Sequence, residues 1–177
     1  MDEAEVSEWF DEYLDVFAAC GRGERQVDSL LAYYGVPLLF SGNDGHFALT
    51  SDEHISAAVQ RQVDGMLADH YDHSEVLGFH ITLLNSACAL YQGRFSRRRR
   101  DGSEIRQLAV TYLITAGPDG RRISVPAYTA PEHPDGAVDR GSTQLDLVPM
   151  SSMSRQPPTT RQTCGSAAPH ASAKESI

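Results

Sequence analysis

Two side chains in this sequence are suited to proton chemistry, Tyr13 and His80. Tyr13 lies on the apolar side of an amphipathic stretch. There a phenol of pKa near 10 can donate a hydrogen bond to a developing oxyanion, and it can equally be a core ring whose hydroxyl finds a backbone carbonyl. His80 stands in the middle of LGFHITLL and shares its parity with Val76, Gly78, Thr82 and Leu84. An imidazole titrating near neutrality can shuttle a proton; the alternative is a histidine settled at a dimer interface or beside a cross-strand partner. His70 and His73, with Asp69 and Asp72, have a spacing that can bring two imidazoles together. No third or fourth ligand follows at a recognisable distance, so no metal is expected. Arg97 to Arg100, with Arg94 nearby, form the local cationic patch. It can attract an anion, but beside an Asp-Gly turn it reads more simply as a solvated hairpin tip whose charges deter edge pairing. Gly21-x-Gly23 has no preceding strand and no third glycine, so it is not a dinucleotide-binding loop.

These residues must be held by regular elements, and the hydrophobic pattern predicts which. Val6, Trp9, Phe10, Tyr13, Leu14 and Phe17 recur at helical spacing over residues 2–19, opposite a row of acids, and Gly21 and Gly23 end the run. A second helix is predicted over 24–34, with Val27, Leu30, Leu31 and Tyr34 inward and Gly35 as the stop. A short strand over 36–40, a turn at 42–45 and a return strand over 46–49 come next. Thr50 to Glu53 has the form of a capping box and opens a third helix over 51–70. From Ser74 to Tyr128 the chain alternates in runs broken at Asn85-Ser86, at DGS and at GPDG. Asp-Gly and Pro-Asp-Gly specify turns, so this block is an antiparallel meander.

Three segments, in this order, carry a likeness: the helix ending EYLDVFAACG, the stretch LLAYYGVPLLF, and the hairpins RRRRDGSEIRQLAVTYLITAGPDGRRISV. Over residues 5–129 the chain resembles the nuclear transport factor 2-like superfamily, which includes SnoaL-like polyketide cyclases, ketosteroid isomerases and scytalone dehydratases. The resemblance implies an α+β fold, a cone-shaped curved antiparallel sheet wrapped around three N-terminal helices. It implies that Tyr13 takes the place of the isomerase tyrosine that hydrogen-bonds the enolate, with Tyr112 near the second donor. The isomerase's carboxylate base would fall close to Ser41, where this chain has no acid; Asp44 is in the turn. His80 is then the remaining candidate base. Trp9, Phe17, Phe40, Phe47 and Tyr128 are the expected pocket lining, apolar walls with a few polar groups. The implied function is binding of a small apolar or aromatic molecule, with cofactor-free isomerisation, dehydration or cyclisation as the chemistry. A non-catalytic dimerisation or protein-interaction domain is the alternative.

Composition limits the rest. The chain has 177 residues, 41% of them hydrophobic, and a net charge of −9. The acidic balance argues against nucleic acid as a partner. No apolar run is long enough to span a bilayer, and the acidic first fifteen residues do not resemble a leader. All the aromatic residues precede position 130, whereas 131–177 holds six of the nine prolines. The expectation is one folded domain over 1–130 and a disordered Pro/Ser/Thr-rich tail over 131–177. Three cysteines without a CxxC pair predict free thiols and a cytoplasmic setting. Both faces of the meander look apolar, which predicts a homodimer through the outer face of the sheet.

Overall fold

The computed structural model describes residues 1–42 and 45–129. The expected tail at 131–177 and the turn residue Asp44 lie outside them. Helix α1 spans Glu3–Gly21. Asp2 and Glu5 close its N-terminus reciprocally: the Asp2 carboxylate accepts the Glu5 N–H at 2.9 Å and the Glu5 carboxylate accepts the Asp2 N–H at 3.1 Å. Its buried side is Val6, Phe10, Tyr13, Val16, Phe17 and Cys20.

The helix expected over 24–34 is not formed. Only a single 3-10 turn, Val27–Leu30, occurs there, so the sheet packs against two α-helices rather than three. The reason is a competing partner. The Ile123 N–H donates to the Tyr33 carbonyl at 2.7 Å and the Gly35 N–H donates to the Ile123 carbonyl at 2.9 Å, which draws Tyr34 into a parallel bridge with Ile123. An extended backbone at Tyr34 cannot close a second helical turn.

Strands β1 (Leu38–Gly42) and β2 (Gly45–Leu49) pair as a hairpin. Helix α2 covers Asp52–Ala68. Its cap is Ser51, whose hydroxyl accepts the His54 N–H at 3.3 Å, one residue later than the expected box from Thr50 to Glu53. His70, at φ 57°, takes the left-handed conformation and turns the chain out of the helix. The meander follows as β3 (Tyr71–Asn85), β4 (Cys88–Arg99), β5 (Glu104–Gly117) and β6 (Gly120–Thr129). Positive φ at Gly102 and Gly120 accounts for the glycines of the last two turns.

The six strands form one sheet in the order β2-β1-β6-β5-β4-β3. Every pairing is antiparallel except β1 with β6, which meet in parallel at Ser41 and Ala127. Register shifts at Val76/Gly78, Arg97/Arg98 and Leu113/Ile114 add bulges that bend the strands and curve the sheet. Register also sorts the faces. Ile81, Tyr91, Tyr112 and Pro126 lie in one row, and Phe79, Gly93, Val110 and Tyr128 in the next, on the side that meets α1. The opposite side carries the rows Thr82, Leu90, Leu113, Val125 and His80, Gln92, Thr111, Ala127.

The helix is seated on the sheet by stacked rings. Phe10 stacks on Tyr91 with centroids 3.8 Å apart, Phe79 stacks on the same ring at 5.2 Å, and Tyr112 meets Phe10 edge-on at 4.9 Å. Gly93 leaves room for this layer, since a Cβ there would run into the Phe95 ring and come within 2.9 Å of the Tyr91 ring. Gly93→Ala is therefore expected to cost about 1–3 kcal/mol by overpacking, read from the urea midpoint; an unchanged midpoint would show that the layer has slack.

Candidate functional site

Two chambers lie between the helices and the inner face of the sheet. The deeper one is bordered by Tyr13, Phe17, Phe95, Val110, Tyr112 and Tyr128 and encloses about 20 Å³. That is enough for roughly one water molecule. The outer one encloses about 180 Å³ and opens between α2 and the β1–β2 hairpin. Arg97 and Tyr128 border both.

Both tyrosines singled out from the sequence reach the deep chamber. Their rings meet edge-on, 6.2 Å between centroids, and the Tyr13 and Tyr34 hydroxyls hydrogen-bond each other at 3.0 Å. Burial first, and then the neighbouring phenols, hold Tyr13 well above the ordinary phenol range. Burial does the same for Tyr112 and Tyr34. These phenols stay protonated and can donate, but into a space that admits no organic substrate. His80 does not join them. It pairs in register with Gln92, on the side of the sheet opposite Tyr91 and Tyr112, and is exposed. Trp9 packs on Tyr33 at 5.5 Å and borders neither chamber. Phe17 borders the deep chamber. His73 bonds to Asp72 at 3.0 Å, and among the described residues no group of three or more His, Cys, Asp or Glu could hold a metal.

The outer chamber gathers three of the expected lining residues, Phe40, Phe47 and Tyr128. Phe40 and Phe47 face each other across the hairpin because their Cα atoms are register partners. Their rings stack at 5.3 Å and 2°, and Tyr128 from β6 continues the stack at 5.7 Å from Phe40. Ala58, Val59 and Met66 of α2 form the facing apolar wall, with Arg61, Gln62 and Asp69 at its polar margin.

Arg97, read from the sequence as part of a solvated cationic tip, and Arg106, which the sequence reading did not single out, complete this chamber. The run from Arg97 to Arg100 is not uniformly a solvated tip. Arg97 is only 4% exposed. Its guanidinium carbon stands 5.8 Å from the Phe17 ring centroid, and its Nε makes no hydrogen bond to a described residue. Arg98 instead reaches the Glu75 carboxylate at 2.8 Å and 3.0 Å, Arg99 donates to the Asp69 carbonyl at 2.9 Å, and Arg100 is exposed. The signal was present in the sequence, since Arg97 has the same parity as Tyr91 and Phe95 along β4.

A raised folded-state pKa at Tyr13, Tyr34 and Tyr112 makes stability depend on alkali. Below the unfolded value of about 10 the full contribution is present. Above it the unfolded chain ionises first, and stability falls as pH rises toward the folded values. Spectrophotometric titration should show these phenols ionising only together with unfolding; all seven tyrosines titrating reversibly near pH 10 in the folded protein would contradict the buried cluster.

Comparison with known proteins agrees with this architecture. The family model described as NTF2-like protein (DUF6841) matches residues 2–131. No curated protein matches the sequence. Among solved structures, an NTF2-like protein with a cystatin-like fold from Novosphingobium aromaticivorans superposes with a TM-score of 0.58 at 15% identity, covering 77% of this chain and 84% of that one. A domain of unknown function with a cystatin-like fold from Nostoc punctiforme gives 0.56 at 20%, covering 76% and 80%. An NTF2-like protein of unknown function from Shewanella oneidensis gives 0.53 at 16%, covering 70% and 98%. At these identities the likeness concerns the fold alone.

Proposed function

The chain belongs to the NTF2-like proteins (DUF6841), and within that family we propose that it binds a small organic molecule in the chamber between α2 and the β1–β2 hairpin. The observation that carries the reading is the open space of about 180 Å³ walled on one side by the stacked rings of Phe40, Phe47 and Tyr128. Apolar walls with a few polar groups at the margin are what small-molecule sites use. Binding is better supported than turnover. Isomerisation, dehydration or cyclisation by Tyr13, Tyr112 and His80 would need the three to converge on one substrate. The phenols border the deep chamber of about 20 Å³, and His80 faces the other side of the sheet. Free Cys20 and Cys88 are in keeping with a cytoplasmic setting, and among the described residues no helix is long and apolar enough to cross a membrane.

Gly65 gives a clean test. It borders the chamber from α2, a Cβ there meets nothing within 4 Å, and leucine is the better helix former. Gly65→Leu should therefore keep or raise the melting temperature while filling the mouth. Ligand-observed NMR with single-ring compounds (phenol, benzoate, benzyl alcohol, indole) should detect binding to the wild type and none to the variant. Binding that survives the substitution, or a wild type that binds none of the set, would remove the chamber from the function.

A second reading, a homodimer through the sheet, is favoured by one observation. Thr82, Leu90, Leu113 and Val125 form an unbroken row on the outer face, none of them fully buried, and the adjoining edge strand exposes Leu84. Sedimentation at micromolar concentration should give twice the chain mass, reverting to one chain in Leu90→Arg; a wild-type monomer would refute the dimer.

A further inference from the structure

The guanidinium of Arg97 is a cation placed among rings, and no carboxylate of the described residues meets it. Its residue is 4% exposed, its guanidinium carbon stands 5.8 Å from the centroid of the Phe17 ring, and among the described residues no carboxylate forms an ion pair with it. A buried charge of this kind is strongly disfavoured unless something compensates it. The register makes the position less favourable still. Arg97 is paired directly with Arg106 across β4 and β5, both border the outer chamber, and like charges facing each other on one side of a sheet repel. Arg61 also borders that chamber, where Asp69 is the one carboxylate among the described lining residues.

Resting on the reading of this chamber as a ligand site, we propose that its ligand is an anion: a molecule of one aromatic ring bearing a carboxylate, with the carboxylate on Arg97 and the ring along Phe40, Phe47 and Tyr128. Size and shape agree. A dry cavity of about 150 Å³ is known to hold a benzene molecule, and the chamber's 180 Å³ adds room for one small polar group. The guanidinium fork matches a carboxylate in two parallel hydrogen bonds, the geometry for which arginine is used in preference to lysine. The deeper chamber holds no more than about a water molecule, so the ring stays in the outer one and the anion lies where Arg97 borders both.

Calorimetry on the full chain with benzoate and with its uncharged counterpart benzyl alcohol decides the matter. Benzoate should bind at least tenfold more tightly. Arg97→Met should abolish that preference, and Arg97→Lys, which keeps the charge and loses the fork, should reduce it. Without ligand, Arg97→Met should melt at or above the wild-type temperature, because it removes a buried charge that no described carboxylate pairs with. Equal binding of the two compounds, or a preference unchanged in Arg97→Met, would overturn the anion assignment and leave the chamber as a neutral-ligand site. Failure of both compounds to bind, with indole and phenol also failing, would overturn the ligand reading itself. An Arg97→Met protein that melts far below the wild type would mean that the arginine is already held within the chain, and would also overturn the proposal.

Discussion

The contact on which this fold turns is the stack of Phe10 on Tyr91, 3.8 Å between centroids. It fixes the distance of α1 from the sheet and fills the deep end of the concavity with rings. Tyr112 closes against Phe10 from β5, Phe79 stacks on Tyr91 from β3, and the absence of a Cβ at Gly93 makes the layer sterically feasible. Because aromatic rings bury large areas and tolerate few alternative geometries, the seat of the helix leaves little freedom elsewhere. Tyr13, one turn further along α1, is carried by the same seating into its hydroxyl contact with Tyr34. The free volume is displaced outward, to where α2 and the β1–β2 hairpin meet the sheet.

That displacement changes which residues matter. In the family comparison the tyrosine of the first helix is the natural focus, and here it is a packed and satisfied core residue. The features that depart from ordinary folding economy lie at the outer chamber instead. A buried arginine without a described carboxylate, directly opposite a second arginine, breaks the rules of polar satisfaction and cross-strand pairing at one place. Departures of that kind concentrate where a protein does something other than fold. The bulge at Arg97/Arg98 is part of the same arrangement. Plain alternation along β4 places Arg97 in the inner row of Tyr91 and Phe95, and past it the extra residue on β5 sets Arg98 opposite Glu104, where Arg98 reaches Glu75.

Much of the architecture was legible because local rules and global packing agree. The apolar spacing of Val6, Phe10, Tyr13 and Phe17 belongs to a single helix face, and those four residues are buried. The Asp-Gly and Pro-Asp-Gly turns placed the hairpins, and Phe40 and Phe47, both named from the sequence, stack on each other beside the outer chamber. Where tertiary contacts compete with local preference, the reading failed. Residues 24–34 carry a helical pattern, yet Ile123, about ninety positions away, captures the backbone at Tyr33 and Gly35. The cap of α2 moved by one residue because two adjacent hydroxyl side chains, Thr50 and Ser51, were both competent to serve.

By itself the sequence determined helix α1, helix α2, the hairpins of the meander and the pairs of neighbouring residues that share a face, since these follow from the two periods of the backbone and from turn chemistry. Only the tertiary structure decided which face is hollow. Alternation states that His80 and Tyr91 differ from their chain neighbours; it carries no information about the direction of curvature, which arises from bulges and from what packs on each side. That single bit sends His80 out to solvent and turns Arg97 inward, because its sign is set by the helix that the Tyr91 ring receives.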